Sequence, residues 1–185
     1  AAVFALSACG ASSLPTLSGF AAVRDQATRT EAAAAARATQ LADIATDCAS
    51  CASALRDAAS SSQARLEALG GLWDPWGGVT PEGQSAPAAV SEAPTDVSAY
   101  VSWLARTATR DLEIAANPDK TSAEEARTLG AAALGRYASA ARLAHVYGID
   151  LEAGDDAALL INDRVNIASR QGVQTWAIDL FNESS

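Results

Sequence analysis

Aromatic side chains make up only 5% of this chain and there is a single histidine, His145. No stretch approaches the ~20 apolar residues needed to cross a bilayer. With one histidine there is no Ser/His/Asp arrangement to assemble. The sequence also contains no Glu-x-x-His, no phosphate-cradling glycine loop and no dinucleotide fingerprint. Basic residues are outnumbered 13 to 22, giving a net charge of −9. An acidic chain with no basic stripe has little to offer a nucleic acid, because it cannot displace counterions from phosphates, and it is equally unsuited to adhesion on anionic headgroups. These shortages argue against a serine-triad hydrolase, a nucleotide-binding enzyme and a nucleic-acid-binding protein.

What the chain does have is alanine. Hydrophobic residues reach 49% of its 185 positions, and alanine dominates them. Alanine loses no side-chain entropy in a helix and lets helices approach closely, so an all-α fold is expected. The length suits one domain with a real core.

Apolar residues recur at helical spacing. The first ladder runs Phe20, Val23, Ala27, Thr30, Ala34, Leu41, Ile44, and a second runs Leu55, Ala59, Ser62, Leu66, Leu69 to a stop at Gly70-Gly71. A single rod over both would be ~75 Å long. The sequence instead predicts a hairpin turning near Thr46–Ala49, with Asp47 as N-cap of the second helix. Residues 70–94 hold four of the six prolines and five of the twelve glycines and read as a long crossover. A third helix follows with Thr95 or Asp96 as cap and the ladder Val97, Val101, Leu104, Ala108, Leu112, Ala115, ending at Asn117-Pro118. Ser122-Ala-Glu-Glu125 is a capping box opening a fourth helix, which runs through Leu129, Ala133, Tyr137, Ala140, Ala144 and Tyr147 to Gly148. A C-terminal helix over roughly 155–182 is expected to cover one face or end. Two hairpins joined by a crossover predict a four-helix bundle of ferritin-like type, a single domain over residues 20–185.

At the N-terminus, Leu6-Ser7-Ala8-Cys9 follows an apolar run and precedes Gly10, Ser12 and Ser13. This order resembles the lipobox of bacterial lipoproteins, in which cleavage before the cysteine precedes its modification by a diacylglyceryl group. Residues 1–9 then read as the end of a signal peptide that starts upstream of Ala1, and residues 10–19 as a tether. The resemblance implies lipidation at Cys9 and attachment to the extracytoplasmic face of the cell membrane. Lipidation of Cys9 would leave Cys48 and Cys51 as an even pair, which suits an oxidising exterior.

Together with the lipobox, three features resemble uncharacterised lipid-anchored, ferritin-like helical proteins of high-GC Gram-positive bacteria. They are Cys48-Ala-Ser-Cys51, the run Ala64–Gly71 leading into Leu72-Trp73-Asp74-Pro75-Trp76-Gly77, and the fourth helix. The resemblance covers roughly residues 1–150 and brings no activity with it.

Three constellations bear on chemistry. A di-metal site in such a bundle takes four inward carboxylates and two histidines. Glu31, Glu67 and Glu113 are the candidate acids, but each reads as lying beside its apolar ladder, so neither a metal site nor another cofactor is expected. Cys48-x-x-Cys51 reads as a structural disulfide, since residues i and i+3 of a helical turn lie within bridging range. As a zinc site it lacks ligands, and as a redox pair it lacks the thioredoxin strands. Trp73, Asp74 and Trp76 form the densest aromatic feature. They are a candidate platform for a sugar or peptide with Asp74 as polar handle, set against the favoured reading that the indoles plug one end of the bundle. Trp103 and Trp176 are expected at helix contacts.

The expected function is that of a lipid-anchored envelope protein with a non-enzymatic binding or structural role, its partner an unidentified protein or small molecule. The alternatives are a di-metal oxidase or ferroxidase of the same fold, and a thiol–disulfide exchange protein using Cys48 and Cys51.

Overall fold

Four helices carry all the regular structure of the described residues: α1 (Gly19–Ile44), α2 (Ala49–Ala68), α3 (Val97–Ala115) and α4 (Ala123–Tyr147). The computed structural model describes residues 16–84 and 92–151. Cys9, the lipobox, most of the tether, Trp176 and the expected C-terminal helix lie outside them.

The chain breaks between Ile44 and Ala49 without glycine or proline, because turning there lets α2 lie back on α1. Ala54, Leu55 and Ala58 then share one apolar cluster with Ala34, Ala38 and Leu41. The cap of α2 is Cys48 rather than Asp47. Cys48 takes the extended backbone of an N-cap, and its Sγ lies 3.2 Å from the Cys51 amide. Asp47 is exposed, with its carboxylate turned to the Thr46 hydroxyl. The first ladder also overruns. Ile44, the last residue of α1, is 73% exposed, while Ala45 beside it packs on the core.

The other helix ends follow their local chemistry. Gly70 and Gly71, at φ +98° and +77°, end α2 in a region closed to most side chains. The Asp96 carboxylate accepts from the Ala99 amide at 2.9 Å to start α3. Ser122 and Glu125 satisfy each other's amides in a complete capping box, and Gly148 closes α4 in the left-handed region.

Helix directions follow from side-chain contacts. On α1, Thr30, Ala34 and Arg37 meet Arg110, Tyr100 and Ala93 in turn, so α1 and α3 are antiparallel. On α2, Asp57 pairs with Arg142 at 2.7 Å while Arg65 lies against Gly135, so α2 and α4 are antiparallel as well.

The apolar interior comes in two main clusters along the bundle. One gathers Ala34, Leu41, Leu55, Tyr100, Val101, Leu104, Ala140 and Leu143. The other gathers Ala27, Leu69, Ala115, Leu129 and Ala132, with Phe20 and Val23 packed on it. Trp103 is half-buried on the first cluster and stacks with Tyr100 at a centroid distance of 6.2 Å. Glu31, Asp111 and Arg136 fall between the two.

Candidate functional site

Glu31 of α1, Asp111 of α3 and Arg136 of α4 are each no more than 1% exposed, and they meet at mid-bundle. Arg136 Nε donates to Glu31 Oε1 at 2.9 Å, and its Nη2 lies 2.9 Å from the same oxygen. Its Nη1 donates to Asp111 Oδ2 at 2.8 Å. The planar guanidinium thus spans two carboxylates on two other helices, a geometry that its fixed fork of donors suits and a lysine could not copy. Arg65 of α2 adds Nε at 3.1 Å from Glu31 Oε1, an ionic contact off the hydrogen-bonding direction. Arg110 closes on Asp111 Oδ1 at 2.7 Å. All four helices therefore contribute a charge to one cluster.

Gly135 explains how Arg65 reaches this centre. A Cβ at that position would lie 3.1 Å from Arg65 Cδ, so the side chain would have to give by a few tenths of an ångström. The mid-helix glycine weakens α4 locally by roughly 0.5–1 kcal/mol relative to alanine, and in return clears the passage.

Glu31 corrects the reading of the acids as lying beside their ladders. Position 31 is four residues after Ala27 and three before Ala34, both wholly buried, so it lies on the stripe itself. Glu67 and Glu113 are exposed and take no part, and so is His145. The cluster offers two carboxylates, both held by guanidinium groups, where a di-metal centre takes four and two imidazoles. Among the described residues no three His, Cys, Asp or Glu side chains are grouped to hold a metal ion. The described residues do not fit a di-metal site. Glu31 Oε2 is buried with no hydrogen-bond partner among the described residues, the one carboxylate oxygen of the cluster so placed.

Tyr100 borders the cluster and donates from its hydroxyl to the Ala34 carbonyl at 2.9 Å. Burial pushes its phenol well above the ordinary value of 10.0, and the negative charge of Glu31 adds to the rise, while Arg65, Arg136 and Arg37 oppose it. Burial raises Tyr137 and Tyr147 too. A phenol with a raised folded pKa stays protonated in the native state after its unfolded counterpart ionises. Stability is therefore unaffected below about pH 10 and falls as pH rises beyond it. In an alkaline titration, the last part of the phenolate absorbance, that of Tyr100, is expected to appear together with loss of helical circular dichroism. Smooth ionisation of all three tyrosines with the helix signal intact would contradict the burial argument.

Cys48 and Cys51 are joined as a disulfide, with Cα atoms 5.2 Å apart, at the start of α2. Cys51 is buried and Cys48 half-buried. Trp73 and Trp76 are half-buried in the loop after α2. Asp74 serves that loop internally: its carboxylate accepts from the Trp76 amide at 2.8 Å and from the Gly78 amide. A shallow groove of about 270 Å³ runs along α1, lined by Ala32, Ala33, Ala36, Arg37, Gln40 and Ala93 among others. The Arg37 guanidinium there is taken up by the Ala93 carbonyl, Gln40 and Glu92.

Comparison with protein families, curated proteins and solved structures gave no match to this chain.

The buried charges left a signal in the sequence. Asp111 lies three residues after Ala108 and four before Ala115, and Arg136 lies four from both Ala132 and Ala140. Ionisable residues in phase with an apolar stripe on three helices, with both signs represented, mark a paired interior.

Proposed function

We propose that this chain is a lipid-anchored scaffold of the cell envelope, held through Cys9 at the extracytoplasmic face of the membrane and acting by binding or structural support rather than catalysis. The observation that carries the non-catalytic part is the Arg136-centred cluster. In a ferritin-like oxidase the middle of the bundle is where inward carboxylates hold metal ions. Here a guanidinium spans the two carboxylates that reach that level. Arg136, with Arg65 and Arg110 beside it, already compensates their charge, and no group of the Glu31–Asp111–Arg136 trio is exposed to a substrate.

The ferritin-like reading is supported by helix direction. With α1 antiparallel to both α2 and α3, α2 and α3 run in the same sense, and the connection between them has to return along the bundle. The disulfide supports an oxidising compartment. It also leaves Cys9 as the thiol outside the pair. A diacyl anchor is the two-chain case that holds stably at a membrane.

The test has two separate arms. Expressed behind a complete leader in a lipoprotein-processing bacterium, the chain is expected to carry a diacylglyceryl group on Cys9 by mass spectrometry, lost in Cys9→Ser. An unmodified Cys9 in that strain overturns the anchor. Purified protein loaded with Fe(II) or Mn(II) and desalted is expected to retain substoichiometric metal by elemental analysis. Two bound ions per chain overturn the scaffold in favour of an oxidase.

A further inference from the structure

Three large apolar side chains stand exposed among the described residues, and two of them, Leu72 at 46% and Val79 at 75%, belong to one loop. Between them lie the half-buried indoles of Trp73 and Trp76. The one acidic side chain of this loop is turned on the loop itself. Asp74 accepts from the amides of Trp76 and Gly78, and Gly77 and Gly78 take positive φ, +64° and +90°. The loop therefore presents apolar and aromatic surface with its one carboxylate occupied.

Its place in the bundle matters as much as its composition. It begins three residues after Leu69, which packs in the cluster holding Ala27, Phe20 and Val23 at the start of α1. This is the end of the bundle from which the chain leads back to Cys9. Nine residues separate Cys9 from Gly19, a reach of at most roughly 35 Å. Ile44, the third exposed apolar residue, caps the opposite end of α1.

We infer that the loop Leu72–Val79 is a second membrane contact, entering the headgroup–acyl boundary of the bilayer that the Cys9 lipid occupies and setting the bundle upright on it. The inference rests on the anchored reading for which membrane the loop meets. The chemistry selects zwitterionic phospholipid. Tryptophan favours the boundary between headgroup and chain, where its ring is buried and its N–H stays wet. Attraction by charge is ruled out as the cause, since the protein carries −9 and would be repelled by anionic lipid.

The test couples the folded chain through its Cys9 thiol to a maleimide-bearing lipid in phosphatidylcholine vesicles, so that cellular lipidation is not required. With brominated acyl chains, tryptophan emission is expected to be quenched, and the Trp73→Phe/Trp76→Phe protein to lose most of that quenching. Uncoupled Cys9→Ser protein is expected to partition to the same vesicles weakly and independently of salt, less well when phosphatidylglycerol is added. Leu72→Ser/Val79→Ser should lower that partitioning by at least about tenfold. Coupled protein that shows no bromine quenching beyond the double Phe protein overturns the inference. So does loop emission already blue-shifted and shielded from acrylamide before vesicles are added, which would mean that the chain itself or a second copy covers the loop. An unlipidated Cys9 in cells sinks the anchor alone and leaves these readings unchanged.

Discussion

Arg136→Met is expected to destabilise the protein by about 3–5 kcal/mol, the figure for breaking a buried ion pair by removing one partner. In a domain of this size that lowers the melting temperature on the order of 10 °C. Methionine matches much of the volume, so the loss is electrostatic rather than a cavity. Glu31 and Asp111 would be left inside the bundle with only Arg65 and Arg110, which approach from the side at 3.1 and 2.7 Å. Arg136→Lys should fall between parent and Met, because one ammonium can meet one carboxylate but has no fork to span two helices. The informative control is the triple variant Glu31→Leu/Asp111→Leu/Arg136→Met. Removing the trio together removes its desolvation penalty with its attraction, and leaves Arg65 and Arg110, at 13% and 39% side-chain exposure, to turn toward solvent, so this protein is expected to lie closer to the parent than Arg136→Met does. Urea denaturation of the four proteins, with unchanged slope, decides it. A single Arg136→Met variant within about 1 kcal/mol of the parent would show that the cluster is loosely solvated, and the sealed-centre argument for a non-catalytic bundle would go with it.

The triple variant also separates stability from specificity. Buried ion pairs are retained in some proteins because they fix which helices lie side by side. An alanine-rich interior has little shape of its own to set helix register, since many sliding arrangements of small side chains pack comparably. A guanidinium that must meet Glu31 on α1 and Asp111 on α3 admits far fewer. A stable triple variant with broadened amide resonances would assign the cluster that role.

Helices were legible in the sequence because their signals are local. Alanine content, 3.6-residue periodicity, the Ser122 box, Asp96 and the glycines at 70, 71 and 148 each act within one turn of the chain, and each has its counterpart in the structure. The end of α1 at Ile44 was legible too, but not the exposure of that side chain, which continues the period and yet stands open at the last residue of the helix. Cys48 displaced Asp47 as cap because bridging to Cys51 brings its sulfur to the Cys51 amide, an effect outside single-residue capping preferences. The central cluster was hidden for a different reason. Charged residues on an alanine-rich helix default to a solvated face, and only the pairing of Glu31 with Arg136, 105 positions apart, makes their burial affordable. Such pairing is a property of the assembled bundle.

Leu104→Ala is expected to cost toward the upper part of the 2–5 kcal/mol range for such truncations. The spread at fixed chemistry reflects how far neighbours relax into the space, and here they have little means to do so. Leu104 is fully buried in a cluster whose other members are largely alanines, among them Ala34, Ala38, Ala54, Ala58 and Ala140. Alanine has no rotamer with which to fill a hole. Closing the space would require α1 or α4 to move as a body, and the Arg136 cluster and the Tyr100–Ala34 hydrogen bond hold both in place. The few large side chains of this interior should therefore each carry more stability than they would in a leucine-rich core. Leu66→Ala, at a site 9% exposed near the edge of α2, gives the contrast, with a smaller expected loss. Chemical denaturation of both variants measures the difference. Equal losses, or a Leu104→Ala loss below about 2 kcal/mol, would mean that the helices close on the gap and that the alanine interior is softer than its packing implies.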